Sequence, residues 1–148
     1  MGLLAEVKSY REEVEKQTMK NLEKAATTIG LQAERNAVTE ITAMKAIDTG
    51  LLRNSITYAI GGNAPHKGSY HDNAGKGSGH YEGTMPKDDD NEITIYIGTN
   101  VEYGPYVEMG YRTSTGKHVA GRPFIKNAVM EHVDDYKKIC EEELGKMK

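Results

Sequence analysis

Apolar and polar positions alternate strictly over one stretch of the chain. Ile93, Ile95 and Ile97 fall on one side, and Thr94, Tyr96 and Gly98 fall on the other. That is the pattern of a half-buried strand. Gly98-Thr99-Asn100 then ends it with turn-forming residues. From there the period changes: Tyr103, Tyr106, Val107 and Gly110 recur at helical spacing, with Pro105 placed where only a first helical turn accepts it. Gly110 supplies a stop. The pattern predicts a central strand feeding a short aromatic helix, with the rest of the chain packed around that corner.

Upstream, Leu3 to Met44 carries a helical stripe through Leu4, Val7, Val14, Leu22, Ala25, Ala26, Ile29, Ala33, Ala37 and Ile41, with Lys8, Glu12, Lys16 and Lys20 on the other side. No heptad seam is sustained, so the expectation is a long helix laid over a sheet, with Gly30 the place for a bend or break. Asp48-Thr49-Gly50 ends it, Leu51 to Asn54 reads as a connector, and Ser55 to Ile60 alternates as a second strand. Arg53, just ahead of that strand, is expected to reach a carboxylate, with Glu108 the best candidate because both flank the paired strands.

Gly61 to Asn91 is rich in Gly, Ser, Asn and His and nearly devoid of aliphatic residues. It predicts a long mobile loop between two antiparallel strands, ending in the acidic run Asp88-Asp89-Asp90. Tyr111 to Gly121 predicts a second loop, and Arg122-Pro123-Phe124 opens a final helix whose apolar face runs through Ala128, Val133 and Tyr136 to Leu144. The order is that of one α+β domain, residues 1–148: long N-terminal helix, small antiparallel sheet with a long Gly-rich loop, short aromatic helix, C-terminal helix.

Composition narrows the functional classes. The apolar fraction is only 37%, and nine Tyr supply nearly all the aromatic surface, which suits interfaces as well as cores. A net charge of −3 argues against a protein built to grip nucleic acid, although Arg112, Lys117 and Arg122 would be the residues to do so. The single Cys140 excludes an internal disulfide and fits a reducing compartment. No segment reads as a signal peptide or membrane span, and Glu6 stands where a myristoylation signal needs Ser or Thr.

Candidate chemistry is sparse. His66, His71 and His80 share one loop, but their spacing matches no zinc pattern and a flexible loop fixes metal geometry poorly. A metal-dependent enzyme using those histidines is the alternative from another class. Asp88 to Asp90 lack the spaced ligands of a calcium loop. Gly75 to Gly79 lacks the spacing and the strand–helix setting of a phosphate loop. Neither a catalytic set nor a cofactor site is predicted.

Three segments taken together resemble a known family. Thr49, Gly50, Leu52, Arg53, Ser55 and Ile56 match a "TG-x-L-R-x-S-I" element, and Gly98, Tyr103, Tyr106, Glu108 and Gly110 match a strand ending in "G-T-x-x-x-Y-x-x-Y-x-E-x-G". Arg122, Pro123 and Phe124 match "R-P-F-x-x-x-A". In this order they are similar to the small tail components of tailed bacteriophages, which act at the head–tail junction as joining or completion proteins. Gly104 stands where the family often has Ala, and the Gly-rich insert is long for the family.

The resemblance implies a phage or prophage structural protein that is not an enzyme and needs no cofactor. It implies a homo-oligomeric ring, a hexamer by the family's habit, that meets other neck and tail proteins. Genomic DNA would pass through without sequence-specific binding or membrane contact. Such a protein would reside in the host cytoplasm during assembly and then in the virion. A tail-terminator ring is the neighbouring alternative. Lys67, Tyr70, Tyr81, Tyr111, Arg112 and Lys117, in the two segments free of core periodicity, are the expected assembly residues, and Asp88, Asp89 and Asp90 the expected channel-facing ones.

Overall fold

The computed structural model describes residues 3–43, 50–75, 77–89 and 92–146. In chain order the elements are α1 (Leu3–Ala43), α2 (Gly50–Ser55), β1 (Thr57–Ile60), β2 (Ser69–His71), β3 (Ser78–His80), β4 (Ile95–Gly98), α3 (Gly104–Met109), β5 (Gly110–Arg112), β6 (His118–Ala120), α4 (Phe124–Met130) and α5 (Val133–Gly145). The strands form three antiparallel pairs, β1–β4, β2–β3 and β5–β6. The architecture is the α+β arrangement expected from the pattern.

Helix α1 is a single helix of 41 residues, about 60 Å long. Gly30 does not break it. The bare Cα of Gly30 lies directly under the Tyr58 ring, where any Cβ would collide with ring carbons. A mid-helix glycine costs about 1 kcal/mol relative to alanine, and here it lets β1 approach the helix. Small buried residues at Ala25, Ala26, Ala33 and Ala37 do the same along the stripe. Among the side chains described, burial on the stripe begins at Asn21, and residues 11–17 are exposed all round, Val14 included.

The core lies between the C-terminal half of α1 and α2, α4 and β2. Ala37, Ile41, Leu52, Ile56, Tyr70, Val101, Phe124 and Ala128 pack together there. Each fully buried Leu, Ile or Phe contributes roughly 1.5–3 kcal/mol, so Ile41, Leu52, Ile56 and Phe124 dominate this cluster.

The structure departs from the sequence expectations in several places; Tyr111 to Gly121, expected as a loop, carries the β5–β6 hairpin. Leu51 to Asn54 is not a connector but the body of α2, closed by the Ser55 hydroxyl donating to the Leu52 carbonyl. Gly61 to Asn91 is not a featureless loop. It contains the β2–β3 hairpin and is tied down by backbone bonds from Gly62 to Met85, from Met85 to Asn63 and from His66 to Tyr58. Buried Tyr70 supplies the apolar anchor that the aliphatic count overlooked. The final helix is two helices, with His132 outside helical geometry between them. Tyr136 holds that break: its hydroxyl donates to the Ala128 carbonyl and accepts from the Asn36 amide at 3.0 Å. The break lets both α4 and α5 lie on α1.

Candidate assembly surface

The corner after β4 is built from polar contacts that lock four segments together. The Ser55 and Thr99 hydroxyls share a hydrogen bond, and Thr99 Oγ1 accepts the Val101 N–H at 3.0 Å. Asn100 donates from its amide to the His80 carbonyl at 2.7 Å and accepts from the Tyr70 hydroxyl. Tyr81 donates its hydroxyl to the Ser55 carbonyl at 2.6 Å and accepts the Asn100 N–H at 3.1 Å. Burial raises the phenol pKa of both Tyr70 and Tyr81, so both remain neutral donors. The β2–β3 hairpin is therefore a strap over the turn that launches α3.

Helix α3 enters at Gly104, which is buried; a Cβ there would sit 2.8 Å from Thr99 Cγ2. The Thr99 methyl and Leu52 occupy the space that a side chain there would need. Glu108, near the end of α3, accepts the backbone N–H groups of Ile125 and Lys126, both at 2.9 Å. A carboxylate at the first turn of α4 satisfies two orphan donors at once. Glu108 thereby joins the second motif element to the third, and Phe124 completes the joint by filling the core. The expected Arg53–Glu108 pair does not form, because both Glu108 oxygens serve α4; among the described residues no ion pair involves Arg53. Gly110 has φ of 86° and backs onto Gly121, where any side chain would strike backbone atoms.

The outer face of this corner is apolar and open. Tyr103 is 37%, Tyr106 57%, Met109 74% and Tyr111 46% exposed. Tyr106 and Tyr111 meet edge-on, with centroids 6.3 Å apart. The β5–β6 hairpin extends from this patch with Arg112, Lys117 and His118 exposed. Of the sequence-predicted assembly residues, Tyr111, Arg112 and Lys117 are on this face. Lys67, Tyr70 and Tyr81 are not: Lys67 reaches the Asn54 carbonyl at 3.1 Å and Glu34 at 3.8 Å, and the two tyrosines turn inward.

Of the motif residues, Leu52, Ser55 and Ile56 are buried, Gly50 opens α2, Gly98 pairs with Thr57, and Pro123 and Arg122 precede α4. Thr49 and Asp90 lie outside the described residues. Asp88 accepts the Thr94 N–H at 2.6 Å and, with Glu23, Asp89 and Glu92, lines an acidic cleft of about 260 Å³ at the start of β4. The three loop histidines are dispersed. His66 stacks on Tyr58 and bonds Glu34, while His80 pairs with Glu82. Among the described residues no group of His, Cys, Asp or Glu is arranged to hold a metal ion. Likewise, no described helix is long and apolar enough to cross a membrane.

Sequence reasoning missed Glu34. Buried at 8% exposure on the apolar face of α1, its Oε2 accepts the Tyr58 N–H at 3.2 Å and bonds His66 Nδ1 at 3.1 Å. The signal was available: a carboxylate among Gly30, Ala33 and Ala37 on a buried stripe demands a partner. Burial, and then the Glu34 charge, raises the Tyr58 pKa.

The chain matches, over residues 2–110, the family model described as "Bacteriophage HK97-gp10, putative tail-component". The match spans α1 to the start of β5 and so includes the first two motif elements and the exposed corner as far as Met109. Comparison with curated proteins and with solved structures gives no match. With about three quarters of its length inside that match, the chain belongs to the HK97-gp10-like family of bacteriophage tail components.

Proposed function

We propose that this chain is a single-domain subunit of a homo-oligomeric ring, six copies in number, at the head–tail junction, where it completes the tail and joins it to the head. The observation that carries the proposal is the exposed Tyr103–Tyr106–Met109–Tyr111 corner. Tyr and Met are enriched where proteins meet, and a contiguous apolar patch on a small protein marks a contact surface. The corner is held rigid by Glu108 and by the tyrosine strap, so it presents a preformed surface. The acidic cleft of Asp88, Asp89 and Glu92 suits a channel that passes DNA without gripping it. Its work is structural rather than enzymatic, performed in the host cytoplasm during assembly and then in the virion, against other neck and tail proteins.

Deleting its gene from the phage or prophage that encodes it tests the role by electron microscopy of the particles. Tails of normal length and filled heads that fail to join are expected. Tails of uncontrolled length would assign a terminator role instead, and normal infectious particles would defeat both. Tyr106→Asp with Met109→Asp, made in the intact gene, is expected to reproduce the deletion.

A further inference from the structure

The two-stranded sheet β1–β4 has one sealed edge and one open edge. Tyr58 turns its backbone away from β4, because its N–H goes to Glu34 and its carbonyl accepts from His66. Ile60 likewise accepts from Asn63, whereas Gly61 bonds across to Thr94 at 2.9 Å. In the observed register Tyr58 faces Ile97 and Ile60 faces Ile95. An antiparallel ladder alternates bonded and non-bonded pairs, so the N–H and C=O of Ile95 and Ile97 point off the sheet. No hydrogen bond among the described residues uses them. None of the four residues of β4 is buried. Apolar clefts flank the edge: about 180 Å³ lined by Leu22, Ile29, Ile95 and Cys140, and about 280 Å³ lined by Gly98, Pro105, Met109 and Ile125.

The same chain carries a complementary strand. Thr113 donates to the Lys117 carbonyl at 2.9 Å, so by the same alternation Arg112 presents its backbone on the outer side of β5. The segment from Met109 to Met130 contains no Asp or Glu, and it holds Arg112, Lys117, His118, Arg122 and Lys126. The cleft at the start of β4, by contrast, is lined by Glu23, Asp88, Asp89 and Glu92, with Lys87 the one cation among its described lining residues.

We propose that β4 is an acceptor edge and that β5 of a second copy adds to it antiparallel. In that orientation Arg112 lies opposite Ile95, towards the Glu92 end of β4, and Tyr111 lies opposite Tyr96, an aromatic cross-strand pair. The two surfaces are different patches of one chain, so the contact is head-to-tail, the type that closes rings. The inference rests on the ring assembly proposed above and names the strands that make it.

Sedimentation and cross-linking test it on the full chain. Arg112→Glu is expected to weaken self-association about tenfold or more, and Arg112→Glu combined with Glu92→Arg to restore it to within about threefold. Ile97→Pro removes an outward N–H that β1 does not use, and it is expected to lower association well beyond Ile97→Ala, which loses the same packing against the core. In a Cys140→Ser background, Tyr96→Cys with Tyr111→Cys should cross-link into a ladder of multimers through a short bis-maleimide, with neither single variant exceeding a dimer. An oligomer that forms normally, ignores all of these changes and does not cross-link overturns the strand exchange while leaving the ring intact. Absence of any oligomer, in solution and in purified particles alike, overturns the ring itself.

Discussion

The two edges of the β1–β4 sheet are a few ångströms apart and are treated in opposite ways. On the β1 side a buried carboxylate, a stacked histidine, a lysine and a glycine-thinned helix consume the strand's backbone groups and cover its face. On the β4 side the backbone groups of Ile95 and Ile97 make no hydrogen bond among the described residues, and the strand is only half covered. An unprotected edge is a liability in a monomer, since it templates pairing with other chains. Sealing one edge and leaving the other open directs that pairing to a single place, which is what a subunit with one defined neighbour on each side requires.

That contrast predicts that the β1 side responds to substitution through stability and the β4 side through association. The largest effect is expected from Gly30→Leu, whose side chain must displace the Tyr58 ring and lever α1 off β1. We expect a loss of about 3 kcal/mol in urea unfolding. Glu34→Ala comes next. It strips the acceptor from the buried Tyr58 N–H and leaves Lys67 and His66 without their carboxylate. About 2 kcal/mol should be lost, and Glu34→Gln, which keeps an acceptor, should recover part of it. Hydrogen exchange at the Tyr58 amide would report the opening of the edge directly.

Glu108→Ala lies between the two regimes, because Glu108 caps α4 yet sits behind the exposed corner. It should cost about 1 kcal/mol, read from the urea midpoint. The smallest stability effect is expected on the open side. Met109→Ser and Tyr106→Ser should each stay within about 0.5 kcal/mol of the parent chain while still reducing association in sedimentation. A Met109→Ser variant that unfolds readily would mean the corner is part of the core and would erase the contrast.

Much of this layout was legible in the chain before any coordinates. The period-two run around Ile95, the helical stripe of α1 and the Pro105–Gly110 helix are local patterns, and local patterns survive folding. From the sequence, removing Lys67 to Gly83 is expected to leave the fold intact while impairing assembly, because the segment has no core periodicity. The structure says otherwise, because that cut removes Tyr70 from the core and Tyr81 from the corner. A tyrosine in a glycine-rich segment carries no period, so only its packing reveals that it is an anchor. The same holds for the partners of Glu108 and Glu34. Each serves backbone N–H groups on an element remote in sequence, and the sequence lists carboxylates without saying which amides will be left over.

The sequence by itself determined the α+β order, the apolar faces and the family, because each of those resides in periodicity or in short motifs. Only the tertiary structure decided that Gly30 is a contact rather than a hinge, that the last helix divides at His132, and that β1 is sealed while β4 is not. Those outcomes depend on which surfaces approach within van der Waals distance and on where unpaired backbone groups find partners. Both are properties of long-range packing that no local pattern encodes.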